Sequence, residues 1–300
     1  LDGAATTFSY DGHGALSAGA SSRLLIDYEE DQRSQILDLL FKPNYGASMD
    51  LIKVEIGGDG QSTEGTEASH MHERGDLSCY RGYEFWLLEE ARKRNPKIST
   101  YALSWASPYW VGNQTGYYSQ DEIDYHVKWL NCTKQYAIGS IDYMGNWNER
   151  PWGTPTWTKQ FKAAMEDAGF GETKIIIPDG GDVATIEKAM AVDADFKDTV
   201  AGIGVHYPCN RPVPSIVSTY GKKFWSSEDY STVGDWAGVR SACAAGRSLT
   251  PQRYTRHTRY TRHKHIAVSL PSPVLPARPT DPGAYRLRAG GGSSTRTLCA

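Results

Sequence analysis

Hydrophobic positions along the first 230 residues follow two spacings in alternation. Short, mostly apolar runs such as 51–56 are typical of strands, whereas apolar residues every three or four positions predict helices. One predicted helix places Ile36, Leu39 and Leu40 on one side and ends at Pro43. We predict strands at 14–19, 51–56, 98–105, 138–147, 174–178, 200–206 and 223–227. We predict helices at 31–42, 83–94, 156–168 and 182–190, with a further helix after a capping box of Ser119 and Glu122.

Strands that alternate with helices indicate an α/β protein, and the number of strands favours a (β/α)8 barrel (TIM barrel). An open nucleotide-binding sheet would carry a phosphate-binding glycine pattern after its first strand. Gly12-His13-Gly14 does not continue to a third glycine, so that fold is disfavoured. Because only seven strands are predicted, we expect residues 1–240 to form a barrel domain that lacks its last strand.

The distribution of charge also divides the chain near residue 240. The formal net charge of −3 is the sum of −12 for residues 1–240 and +9 for residues 241–300. The tail contains a tandem repeat, 253–258 followed by 259–264, and then Pro-rich and Gly-rich segments. We expect 241–300 to be a disordered, low-complexity tail or an out-of-frame translation. Although basic repeats with tyrosines can bind polyanions, we expect no nucleic-acid partner.

Several features of the sequence bear on cellular location and on disulfide or metal sites. No apolar run is long enough to cross a bilayer, so we predict no transmembrane segment. The five cysteines are scattered without metal-ligand spacing, and we expect neither a disulfide scaffold nor a metal site. Sequons at Asn113 and Asn131 would accept glycans in a secretory protein. The chain begins at Leu1 without a visible signal peptide.

Polar residues collect where the predicted strands end, which is where barrel enzymes place their catalytic groups. Glu149 follows the fourth strand in Trp-Asn-Glu-Arg, and Glu228 follows the seventh in Trp-Ser-Ser-Glu-Asp. Retaining glycosidases need two carboxyl groups about 5–5.5 Å apart, one as acid and base and one as nucleophile. Asn148, directly before Glu149, would be placed to bind the sugar 2-hydroxyl. The two glutamates together with this asparagine predict a glycosidase.

Other polar residues at strand ends and in loops suggest different chemistry. His70 and His72 resemble a metal pair, but they lack a third spaced ligand, so a structural role is favoured. His206 is expected to line the pocket or to support Glu228. Asp59 and Asp179 are expected to support neighbouring groups or to cap loops.

Several long runs resemble glycoside hydrolase family 59, the galactocerebrosidase (galactosylceramidase) family. The resemblance extends from about residue 11 to 232 and includes Val-Glu-Ile-Gly-Gly-Asp-Gly-Gln-Ser-Thr at 54–63. Further matching runs lie at 34–38, 40–44, 65–72, 81–84, 147–150 and 221–231. Past residue 232 the resemblance fades, and the later family domains are not visible.

The resemblance implies a function and assigns roles to residues. The family hydrolyses the β-galactosidic bond of galactosylceramide and psychosine with retention and without a cofactor, in sphingolipid catabolism. Glu149 matches the acid/base and Glu228 the nucleophile. Family members are lysosomal glycoproteins helped by a saposin-like activator, so we expect a lysosomal or secreted protein. Positions matching the galactose pocket are Thr63, Trp105, Asn148 and Ser231.

Two other hypotheses stay open at this stage. The chain is either a barrel β-glycosidase of different sugar specificity or an inactive fragment whose basic tail binds polyanions. A barrel without its last strand exposes an edge, so we also expect poor stability in isolation.

Overall fold

The computed structural model describes residues 10–62, 65–113, 116–208 and 212–228, which all fall within one compact unit. The strands are β1 (Gly14–Ser17), β2 (Leu51–Ile56), β3 (Ser99–Ser104), β4 (Tyr143–Trp147), β5 (Lys174–Ile176), β6 (Val200–His206) and β7 (Lys223–Glu228). The helices are α1 (Arg23–Ile26), α2 (Glu30–Phe41), α3 (Glu84–Arg94), α4 (Gln120–Thr133), α5 (Pro155–Asp167), α6 (Val183–Val192), α7 (Ala194–Thr199) and α8 (Ser215–Tyr220). None of these helices has the length and apolarity needed to span a bilayer.

The seven strands form one parallel sheet in sequence order, β1 to β7. Each strand is joined to the next by a segment containing at least one helix, so the predicted α/β barrel architecture is confirmed. Asp11, just before β1, accepts hydrogen bonds from Lys223 at 2.6 Å and from Trp225 at 2.8 Å, both on β7. These contacts connect the two edge strands of the sheet. The expectations for a missing eighth strand and for the tail concern residues outside the described ranges.

Successive side chains of β2 point alternately to the apolar core outside the barrel and to the barrel interior. Ile52, Val54 and Ile56 belong to the large apolar cluster packed between sheet and helices. Lys53 and Glu55 pair in register with Tyr101 and Leu103 of β3, which belong to the interior cluster. A strand in such a barrel is covered on both faces, so these two charged residues are fully buried. They point toward the end of the barrel where a site is expected.

Five predicted helices are confirmed, and the differences from prediction are local. The fourth strand, predicted over 138–147, begins only at Tyr143, because a turn follows α4. Three helices were not predicted, namely α1, α7 and α8. Each has four to six residues, which is too short for an apolar period to be recognised.

The predicted capping box before α4 is wrong. Ser119 is the N-cap residue, but its side chain makes no cap hydrogen bond and donates instead to the Tyr117 carbonyl. Glu122 is buried and lies 2.5 Å from His126 Nδ1, while Nε2 of the same ring lies 3.1 Å from the Ser104 hydroxyl. Glu122 therefore contributes to a buried polar chain between α4 and β3 and does not cap the helix.

The structure contains a disulfide that the sequence did not predict. Cys79 and Cys132 form a disulfide that joins the segment before α3 to the end of α4, with Cα atoms 5.0 Å apart. Spacing alone could not reveal this pair, because 53 positions separate the two residues. Cys209, Cys243 and Cys299 lie outside the described residues.

Candidate active site

Glu149 and Glu228 lie at the carboxyl ends of β4 and β7. Glu149 adopts a left-handed backbone conformation with φ of 51°, and its amide donates to the Asp179 carbonyl at 3.1 Å. Carboxylate oxygens of Glu149 and Glu228 and a ring nitrogen of His206 all lie within 4.8 Å of one another. The structure thus brings together the two glutamates predicted from sequence, at a separation close to that of retaining glycosidases.

The two carboxyl groups differ in exposure. The Glu149 side chain is 54% exposed and the Glu228 side chain 14% exposed in the described structure. The more open group can exchange protons with water, whereas the more enclosed one is held by neighbours. Tyr207 donates its hydroxyl to Glu228 Oε1 at 2.8 Å.

His206, the last residue of β6, lies between Glu149 and Glu228. Its Nδ1 lies 3.0 Å from Glu149 Oε1, and its Nε2 lies 3.3 Å from Asp179 Oδ2 and 3.8 Å from Glu228 Oε2. Burial alone would lower the pKa of this imidazole, but the hydrogen bond and charge of Asp179 outweigh burial and raise it. The sequence predicted that His206 lines the pocket or supports Glu228. In the structure it lies against both glutamates, closer to Glu149 than to Glu228.

A buried ion pair lies beneath Glu228. Lys53 Nζ contacts Asp179 at 2.9 and 3.1 Å and lies 3.7 Å from Glu228 Oε2. Burial would raise the pKa of the Asp179 carboxyl, but Lys53 and His206 hold it below its usual range. Sequence reasoning missed Lys53, although a lysine on the inward face of a buried strand is a usable signal.

Among the described residues, one group of side chains has the spacing of metal ligands, and it is the two glutamates with His206. Glu149, His206 and Glu228 each offer one ligand atom. A cation there would lie close to the Lys53 ammonium, which opposes its binding. His70 and His72 do not converge on a ligand: His70 bonds the Tyr125 carbonyl and His72 bonds Asp59.

Asn148 and Trp105 are fixed beside the glutamates. The Asn148 amide, oriented to suit both neighbours, donates to Asp179 Oδ2 at 3.0 Å and accepts from Trp105 Nε1 at 2.8 Å. Trp147 Nε1 in turn donates to the Trp105 carbonyl at 3.0 Å. The other two predicted sugar-contacting positions, Thr63 and Ser231, lie outside the described residues.

Known structures with this fold include carbohydrate-active enzymes. An endo-beta1,6-glucanase aligns with a TM-score of 0.60 at 21% identity, covering 75% of this chain and 58% of that one. SrfJ from Salmonella typhimurium aligns with a TM-score of 0.61 at 16% identity, covering 79% of this chain and 62% of that one. At these identities the likeness concerns the fold alone.

Curated relatives resemble the chain more strongly in sequence. Galactocerebrosidase from Danio rerio is 48% identical over 234 residues, which are 77% of this chain and 35% of the relative. Galactocerebrosidase from Homo sapiens is 45% identical over 234 residues, 77% of this chain and 34% of the relative. The chain thus spans about a third of the length of these relatives. The profile of Glycosyl hydrolase family 59 matches residues 10–266, and the chain belongs to that family.

Proposed function

We propose that this protein is a retaining β-galactosidase that hydrolyses galactosylceramide and psychosine to galactose and the lipid. The observation that carries the proposal is the pair Glu149 and Glu228, whose oxygens lie within 4.8 Å of each other at the ends of β4 and β7. Membership of family 59 and similarity to galactocerebrosidases support galactose as the sugar.

The reaction would proceed in two displacements. Glu228 attacks the anomeric carbon and forms a glycosyl ester, while Glu149 gives its proton to the departing glycosidic oxygen. Glu149, now a carboxylate, takes a proton from water, and that water displaces Glu228 from the sugar. Two inversions restore the original anomeric configuration, and no step uses a metal or cofactor.

The surrounding residues suit these roles. Lys53 at 3.7 Å and the Tyr207 hydroxyl at 2.8 Å both stabilise a negative charge on Glu228, as a nucleophile requires. Asn148 uses one amide N–H on Asp179, so its second N–H remains for the sugar 2-hydroxyl. Thr63, Trp105 and Ser231 are proposed to complete the galactose site.

We extend the proposal to the cellular setting. A glycolipid substrate with a buried tail would need presentation, so a saposin-like activator is proposed as partner. We propose a lysosomal or secreted protein, in keeping with the disulfide between Cys79 and Cys132. Of the two sequons, Asn113 is exposed in a turn, whereas Asn131 lies within α4, so Asn113 is the better acceptor.

A pair of isosteric variants tests the role assignment. With an activated aryl β-galactoside, Glu149→Gln should still form the glycosyl-enzyme, because a good leaving group needs no acid. Glu228→Gln should lose that step by about 10³-fold or more, since no nucleophile remains. Intact-mass spectrometry of the glycosyl-enzyme and stopped-flow release of the aryl group measure both.

The exposed Glu166→Gln on α5 serves as the control and should behave as the wild type. Equal loss of the first step in the Glu149 and Glu228 variants would contradict the assignment. NMR of the first-formed galactose anomer tests retention. Turnover of the matching β-glucoside at the same rate would contradict galactose specificity.

A further inference from the structure

Three carboxyl groups that the proposed reaction does not use lie buried near the carboxyl end of β2 and the start of α3. Glu55 is on β2, Glu67 in the following loop and Glu84 at the start of α3, and they are 0%, 2% and 2% exposed. Each keeps one oxygen without a hydrogen-bond partner in the described structure. No basic side chain of the described residues forms an ion pair with any of them, so burial is not offset by opposite charge.

Glu55 joins two loops at the carboxyl end of the barrel. Its Oε2 accepts from the Gly19 amide at 2.6 Å, in the loop after β1, and from the Ser62 hydroxyl at 3.0 Å, in the loop after β2. Position 63, which is predicted to contact the sugar, follows Ser62 directly in sequence. Glu55 therefore ties the loop after β1 to the loop after β2, next to position 63 in the chain.

The other two groups tie the same loops to α3. Glu84 Oε1 accepts from the hydroxyls of Ser17 at 2.8 Å and Ser22 at 3.0 Å, on either side of the loop after β1. Glu67 Oε1 accepts from the Tyr83 amide at 2.5 Å, just before α3. Together the three carboxyl groups cross-link the first two strand-to-helix loops with the helix that follows.

The pKa of each of the three groups is raised above the usual glutamate value. Burial raises the pKa of Glu55, and burial with the charge of Glu55 raises that of Glu67 to about 7. Burial and the neighbouring Glu67 raise the pKa of Glu84 well above its usual range. Ionisation of this cluster places like charges together in a dry site, which is unfavourable.

The titratable groups on neighbouring elements do not supply compensation. Tyr125 of α4 has a pKa far above its usual range because it is buried, and its hydroxyl donates to the Gly57 carbonyl. The His70 ring packs against Tyr125 at a tilt, and burial lowers the His70 pKa to about 3, so the imidazole is neutral. Asp59 carries negative charge, and Arg23 of α1 is exposed and paired with Asp27.

We propose that Glu55, Glu67 and Glu84 are positioning residues that, in their protonated form, hold the first two pocket loops in place, so that the pocket is assembled at acidic pH and loosens toward neutral pH. As far as the pocket binds a sugar, this proposal rests on the proposed function. The sign follows from proton linkage. Carboxyl groups with raised pKa contribute full stability below the usual glutamate pKa and lose it as pH rises through the folded values, near 7 for Glu67.

Melting of the full chain tests the proposal without any sugar. The thermal midpoint of the wild type should fall between about pH 5 and pH 7.5. Glu67→Gln and Glu84→Gln keep the shape and neutrality of the protonated acid, so their midpoints should fall by less than half as much. The exposed Glu172→Gln is the matched control and should follow the wild type.

Two further measurements extend the test. The first uses only the wild type, and the second distinguishes pocket assembly from global folding. In the wild type, amide exchange at Gly19 and Tyr83, corrected for intrinsic rates, should accelerate roughly tenfold over the same pH range. The KM for an aryl β-galactoside should rise more steeply with pH in the wild type than in Glu67→Gln, with kcat changing less.

The outcomes separate the two proposals. Equal pH slopes of melting in the wild type and both variants, or unchanged amide exchange, would overturn the role of the cluster. Flattened slopes without hydrolysis at any pH would support the cluster and count against the proposed function. A steeper KM in the wild type with flattened slopes in the variants would support both.

Discussion

Lys53 shows how one residue can organise the site without being predicted. It lies in a strand of otherwise typical sequence, and its ammonium group neutralises Asp179 while lying 3.7 Å from Glu228. Lys53 and Asp179 are 2% and 1% exposed, so neither charge can be hydrated from bulk water. A buried pair of this kind gives little net stability, but the loss of one partner leaves an unpaired buried charge.

Replacing Lys53 by methionine should therefore destabilise the protein strongly. Because His206 still contacts Asp179, we expect a loss near the low end of the usual range, about 3 kcal/mol in the free energy of unfolding. Urea denaturation measures the loss, and the double variant with Asp179→Asn should recover part of it. The exposed Lys93→Met should change stability by less than about 0.5 kcal/mol. Similar effects of the two lysine variants would contradict the buried-pair interpretation.

At this scale the sequence predicts the residues that follow strands better than those within them. Glu149, Glu228 and Asn148 stand in runs that end a strand, so their positions are recognisable from pattern. The pattern predicts His206 near the pocket or Glu228, but its contact with Glu149 depends on the left-handed backbone of Glu149 and on the pairing of β5 with both β4 and β6. Lys53 acts across the barrel from a distant strand, and no local pattern contains that contact.

Among the elements, the strands and the longer helices were predictable because apolar runs mark the former and apolar residues every three or four positions mark the latter. Short helices and helix caps were not, because they depend on a single turn and on tertiary contacts. Ser119 and Glu122 match the capping sequence, yet His126 one turn later offers Glu122 a buried partner. By contrast, Asp182 does cap α6 and accepts from the amides of residues 184 and 185.

The two helix starts should respond differently to alanine. Asp182→Ala removes a carboxylate that accepts from two otherwise unpaired amides at 3.0 and 3.2 Å, and should cost about 1 kcal/mol. Ser119→Ala removes no cap bond and should cost less than about 0.5 kcal/mol. Denaturant unfolding of both variants in parallel gives the comparison. A larger loss for Ser119→Ala would restore the capping box and contradict the structure.

For the whole molecule, the buried charged groups define an acidic range of stability. Asp179 has a lowered pKa, so its contribution is present above the usual aspartate pKa and is lost as pH falls. The raised pKa values of Glu55, Glu67 and Glu84 act in the opposite direction, and their contribution is lost as pH rises. The two contributions are therefore largest together at mildly acidic pH, just above the usual aspartate pKa of about 4, and the glutamate contribution declines from there toward neutral pH, which suits the proposed lysosomal setting.

The disulfide acts on the whole molecule through its unfolded state. Closing a loop between Cys79 and Cys132, 53 positions apart, restricts the unfolded chain, and the chain-entropy relation gives about 4 kcal/mol for such a loop. Both residues are buried, so the serine pair also introduces two polar groups into the core. We expect Cys79→Ser with Cys132→Ser to lose about 2–4 kcal/mol in the free energy of unfolding. A reducing agent should destabilise the wild type similarly and leave the double variant unchanged, as urea titrations with and without reductant would show. An equal response of both proteins to reductant would mean that a different disulfide is responsible.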